Sequence, residues 1–291
     1  MTARAERVDG PSSAEVRPAR PGTRFTRAGP GAVVVSIVGA LCLGLPVAAL
    51  VTRAVLDGSL AAQLGSAAVL DALGLSLLTT ALSLVVTIAL GGPLAYLLAR
   101  SRFRGVSIVE TVVDLPIVLP PSVAGLALLL LLGRRGFLGE SLAAVGIELP
   151  FSIAAVVIAQ AFVSAPLFIR SARAGIGAVD RDVEDAARVD GASELAIVRS
   201  VVVPLASPAL AAGLVMAWAR ALGEFGATIM FAGSVEGRTQ TLPLLVYGEF
   251  QAGSLDASIA AGAVLALAAF GVLVAVRVLH WGRILDVRSL G

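Results

Sequence analysis

AVDRDVEDAARVDGASELAIVRSVVVPLASP, residues 178–208, is a mostly polar stretch set between long apolar runs, and the rest of the chain is organised around it. Asp180 is placed to cap a helix, with Asp182 and Glu184 in its first turn, where acidic side chains favour the positive end of the helix dipole. Along that helix Val179, Val183, Ala186 and Ala187 recur on one face and Arg181, Glu184, Asp185 and Arg188 on another. Gly191 can end the helix in a left-handed conformation, and Ser193 can cap a second helix running towards Pro204. The pattern predicts a helix, a sharp bend and another helix. A small, flat apolar spot beside fixed charges suits docking into a groove of another protein. A solvated surface helix carries the same charge stripes, so the pattern alone leaves both readings open.

The surroundings of this stretch are those of a membrane. The chain has 291 residues, 57% of them apolar, and a mean hydropathy of +0.93, which excludes an ordinary soluble domain with a polar surface. A bilayer core of ~30 Å needs ~20 apolar helical residues. Runs of that kind predict an all-α integral membrane protein with spans at about 31–52, 72–99, 115–132, 151–169, 209–232 and 255–276. Gly91-Gly92-Pro93 is expected to kink the second span. Glu110 and Asp114 mark an interfacial helix, and Pro116, Pro120 and Pro121 a broken approach to the third span. TLPLLVYGEF, residues 241–250, is too short to cross. Residues 1–30, rich in arginine, proline, glycine and serine, are expected to be a disordered basic leader retained in the cytoplasm; 31–280 form the membrane domain and 281–291 a cytoplasmic tail.

Six spans put both termini on one side. With that side cytoplasmic, six arginines of the leader, three at 100–104, five at 170–199 and three after the last span lie inside, against four outside, as the positive-inside rule requires. The stretch 178–208 then faces the cytoplasm.

Several chemistries are missing. The basic residues are all arginine, so the lysine of a phosphate-binding P-loop cannot exist, and the chain is not expected to hydrolyse ATP. Cys42 is the single cysteine and reads as filler in an apolar run. His280, the single histidine, stands beside Trp281 as an interfacial anchor, and no metal site is expected. Arg220, Glu224 and Thr228 fall at i, i+4 and i+8 in the fifth span, and counting from 209 puts Arg220 roughly 16 Å deep. Charges at such depth must face protein or water. They form either a structural pair closing helix packing or a donor towards an anion in a pathway, with Gly223 and Gly226 allowing close helix approach.

The spacing of Asp185-Ala186-Ala187, three residues, Gly191, nine residues, then Val201-Val202-Val203-Pro204 resembles the EAA loop of ABC importer permeases, with Asp185 in place of the usual Glu and valines in place of Ile and Leu. ARALGEFGATIMFAG (219–233) and GRTQTLPLLVYGEF (237–250) look like the molybdate and sulfate branch, and LPIVLPPSVAGLALLLLLGRRGFLG (115–139) looks like the molybdate permeases. The resemblance implies six transmembrane helices of the type I importer kind in the cell membrane. It implies a coupling helix in which Glu184, Asp185, Ala186, Ala187, Arg188 and Gly191 meet the ATPase, and a pathway in which Arg220, Glu224 and Thr228 are candidates. Two cytoplasmic ATPase subunits using ATP and Mg, a second permease copy, expected as a homodimer, and an external oxyanion-binding protein would be the partners, with no cofactor on this chain. Sulfate, thiosulfate or tungstate are the alternative cargoes, and a proton-coupled secondary transporter using Arg220 and Glu224 is the alternative class, against which no inverted repeat is evident.

Overall fold

The computed structural model describes residues 29–101 and 103–288, the positions 277 and 279–288 by backbone course alone. The leader, the His280–Trp281 anchor and the side chains of the tail therefore lie outside what is described. The chain divides after Leu45 into two units. Of the first, the described part from Pro30 on belongs to helix α1 (Pro30–Leu56), which is apolar and exposed all round over residues 30–45. The second unit holds the remainder, and every regular element described in it is helical.

Helix α2 (Ser59–Leu64) interrupts the loop after α1, and α3 (Ala67–Arg100) runs unbroken through Gly91-Gly92-Pro93. The helix is thus not interrupted there, and Gly91 has a packing role. A Cβ there would stand 2.9 Å from Ile169 Cγ1, so the missing side chain lets α7 (Ile153–Gly177) lie close. The buried face of α3 is small and polar: Ser76, Thr80, Ser83, Thr87, Gly91 and Ala95 recur every three or four residues.

The third span differs from the expectation. Helix α4 (Val106–Val118) is followed at Leu119-Pro120 by a bend of 116° into α5 (Pro121–Leu132). Residues 115–132 are therefore not one straight helix, because Pro121 lacks the N–H to continue α4 and instead opens α5. Among the described residues five helices are long and apolar enough to cross a membrane, and six spans result if the bent pair counts as one.

Helix α6 (Gly139–Ala144) lies in the loop before α7. Helix α7 is the hub, extending beyond the expected 169 to Gly177. It packs on α3 through Phe168 and Ile169 around Ala95 and Leu98, and on α10 (Val203–Leu222) around Ala206 and Ala217. The α7–α10 crossing is tight because Gly175 faces Ala209 and Gly213 faces Ser171, whose hydroxyl donates to the Ala209 carbonyl at 2.7 Å. A second cluster joins α5 and α7 to α11 (Gly226–Phe231) around Ala124, Ala159, Ala227 and Phe231. There Gly125 abuts the Ala227 carbonyl and Gly226 abuts Pro121, so neither position has room for a side chain. The short helix α12 (Leu242–Gln251) packs Leu242 and Leu245 against Val69 and Ala72 of α3 and Ala261 and Val264 of α13 (Leu255–Arg288).

Candidate functional site

The stretch 178–208 forms the expected bend. Helix α8 (Arg181–Val189) starts at Asp180, whose carboxylate accepts the Asp182 N–H at 3.1 Å. It ends in a Schellman turn: Ala192 N–H reaches the Ala187 carbonyl and Gly191 N–H the Arg188 carbonyl, each at 3.0 Å, with Gly191 at φ +86°. Ser193 caps α9 (Glu194–Ile197) by accepting the Ala196 N–H at 3.3 Å. The second helix does not stop at Pro204. A π turn over Val198–Val202 shifts the hydrogen-bond register, and the chain continues through Pro204 and Pro208 as one span, Glu194–Leu222.

The two arms are tied across the bend by Arg188. Its Nε and Nη2 donate to the two carboxylate oxygens of Glu194 at 2.7 and 3.1 Å, and its Nη1 donates to Asp185 at 2.6 Å. The hydrogen bonds it donates to Glu194 and then to Asp185 hold this guanidinium firmly protonated, and the bond to Glu194 pulls that carboxyl below the usual carboxylate range. Glu194 was not singled out from sequence. Its offset of six residues across a bend matches neither helical nor strand periodicity.

The faces of α8 differ from the periodicity reading. Glu184, placed by its spacing on the charged face with Arg181, Asp185 and Arg188 and expected among the residues that meet a partner, is 2% exposed and turned inward. Its carboxylate is ion-paired with Arg100 at the end of α3 and lies 3.7 Å from Arg188. Arg100 also donates to the Val179 carbonyl at 3.1 Å, and Arg181 donates back to the Arg100 carbonyl at 3.3 Å. Val179 and Ala187 do pack on the core. Val183, Asp185, Ala186 and Val189 face outward, Val189 being 88% exposed. The exposed surface of the bend is therefore an apolar patch beside the Asp185 carboxylate. Further along, Arg173 pairs with Glu110 at 2.6 Å and Arg170 approaches Asp114 at 3.7 Å, which ties α4 to the same end of α7.

The second candidate cluster is broken by a helix end. Helix α10 stops at Leu222 and α11 begins at Gly226, so Arg220, Glu224 and Thr228 do not form one continuous helical stripe. Arg220 lies in the last turn of a span that starts at Glu194, roughly 39 Å along it at ~1.5 Å per residue. That is the far end from the bend rather than the middle. Arg220 Nη1 and Glu224 Oε2 are 2.5 Å apart, and Glu224 Oε1 accepts the Ala227 N–H at 2.6 Å. Glu224 is buried and links the two helices, whereas a third of the Arg220 side chain remains exposed. Thr228 is fully buried and its hydroxyl has no hydrogen-bond partner among the described residues.

The described residues thus form a set of long apolar helices with a capped and braced bend between two of them, the class of a helical multi-span membrane protein. Residues 91–288 match the family of binding-protein-dependent transport system inner membrane components, and the chain belongs to that family. Within it, the chain is 47% identical over 176 residues to the molybdenum transport system permease protein ModB of Mycobacterium tuberculosis, covering 60% of this chain and 67% of that one. It is 41% identical over 174 residues to ModB of Escherichia coli, covering 60% and 76%. It is 39% identical over 178 residues to a probable transport system permease, NifC of Clostridium pasteurianum, covering 61% of this chain and 62% of NifC, less than two thirds of that relative. Among solved structures, a bacterial ABC transporter involved in the import of the acidic polysaccharide alginate shares the fold, with TM-score 0.68 and 18% identity, covering 87% of this chain and 94% of that one.

Proposed function

We propose that this chain is the membrane-spanning permease subunit of an ATP-driven ABC importer that carries molybdate across the cytoplasmic membrane. The observation that carries the reading is the braced bend: a rigid element joined to α3 through Arg100–Glu184, presenting Val183, Asp185, Ala186 and Val189 to a partner. The ModB relatives support molybdate as cargo. Two copies of a separate ATPase subunit would grip two such bends, one from each copy of a permease homodimer, and ATP with Mg would be used there. A solved relative of the fold stands in complex with a substrate-bound periplasmic protein, which supports delivery by an external binding protein. Closure of the ATPases would move the bends, and with them the spans to which they are tied, opening the pathway between the two permeases to the outside. Both termini would then be cytoplasmic. Arg220, partly exposed at the far end of α10, is a candidate donor to the anion, steadied by Glu224, and the buried Thr228 is the third candidate of the pathway.

The test is reconstitution of the complex in vesicles with its binding protein. Molybdate should stimulate ATP hydrolysis more than sulfate, thiosulfate or tungstate. Asp185→Arg and Val189→Asp should abolish coupled uptake without loss of insertion, whereas Arg220→Ala should reduce uptake with hydrolysis retained. Wild-type uptake in both bend variants would remove the coupling role, and stimulation by sulfate alone would move the cargo to that anion.

A further inference from the structure

At the end of the spans that carries the bend, α3, α4, α7 and α8 surround a hollow of about 770 Å³. Arg100, Arg104, Arg173 and Arg181 line it over an apolar floor that includes Leu98 and Val106, and among the described residues no acidic one contributes to its wall. A neighbouring hollow of about 350 Å³ shares Leu98, Ala99 and Arg173 and adds Arg170. Three of these arginines already have carboxylate partners: Arg100 with Glu184, Arg173 with Glu110 and Arg170 with Asp114. Arg104 and Arg181 form no ion pair among the described residues, so the hollow keeps uncompensated positive charge.

Two features narrow the ligand. Clustered guanidinium groups match the oxygens of a phosphate. The apolar floor and the position at the ends of two membrane spans suit a ligand with hydrocarbon attached, and basic pockets between spans at this level hold anionic headgroups. We infer that the hollow binds the phosphate headgroup of an anionic phospholipid, with Arg104 as a direct contact and Arg173 held towards it by Glu110. A lipid bound here would touch α3, α4, α7 and α8 together, and so brace the bend against the spans. The choice of leaflet rests on the orientation proposed above; the site itself does not.

The assembled complex is placed in nanodiscs of phosphatidylcholine with or without phosphatidylglycerol, and the lipid retained after delipidation is read by native mass spectrometry. Phosphatidylglycerol should be retained selectively, and Arg104→Gln should weaken retention about fivefold, the equivalent of ~1 kcal/mol for one arginine. Arg104→Lys should keep most of it, and Arg135→Gln, which removes an arginine that lines neither hollow, should keep all of it. Equal retention by Arg104→Gln and wild type, or no selectivity for phosphatidylglycerol, overturns the site. Displacement of the lipid by inorganic phosphate overturns the lipid as ligand in favour of a free oxyanion. Each readout is independent of cargo and of ATP hydrolysis, so it can fail while the importer reading stands.

Discussion

Arg100 and Glu184 stand 84 positions apart in sequence and form one of the most buried ion pairs described in the molecule, at 12% and 3% side-chain exposure. Removing one partner of such a pair leaves the other buried and uncompensated, a cost on the order of 3 kcal/mol. Arg100→Ala should therefore lower the unfolding free energy by about that amount, and Arg100→Ala with Glu184→Ala should recover part of it. Chemical unfolding followed by tryptophan fluorescence measures both, and strictly additive losses would deny the pairing. At this scale the sequence was half legible. Asp180, Gly191 and Ser193 announce themselves because a cap acts on backbone groups two or three residues away. Glu184 does not, since its partner is brought to it by the packing of α3 on α7, and periodicity alone only grouped it with Arg181, Asp185 and Arg188 on the charged face.

Among elements, the crossings depend on residues that are absent rather than present. Gly125 of α5 meets the backbone of α11, where an added Cβ would lie 2.6 Å from the Ala227 carbonyl oxygen and 2.8 Å from Met230 Cβ. Backbone cannot yield as a flexible side chain can. Gly125→Val should cost about 1–3 kcal/mol through overpacking and loosen the α5–α11 contact, seen as faster hydrogen exchange over residues 226–231. Unchanged exchange there would show that the helices can separate at no cost. The same scale explains the fifth span. Apolarity from 209 to 232 reads as one crossing, but the helix begins at Glu194, passes two prolines by way of the π turn and stops at Leu222. Gly223 and Gly226 stood in the sequence as packing aids, and they also flank the break.

For the whole molecule, the arginine distribution is the ground for the proposed orientation, and that orientation would decide which surface meets the proposed ATPase. With Cys42 replaced by serine, a cysteine at Val189 should react with a membrane-impermeant maleimide only in inside-out vesicles, and one at Arg135 only in right-side-out vesicles. The reverse pattern would turn the bend outward and separate it from any ATP-driven partner.

The sequence by itself determined the class of architecture, the presence of the long apolar helices, the bend and its caps, because hydropathy, capping and helical period are properties of neighbouring residues. Only the tertiary structure decided that Glu184 turns inward to Arg100, that Arg188 bridges to Glu194 and that α4 and α5 meet at 116°. It likewise decided that the Arg220–Glu224 pair closes a helix break. Those outcomes depend on which helix ends are brought together, and that is set by packing over the whole membrane domain rather than by any local pattern.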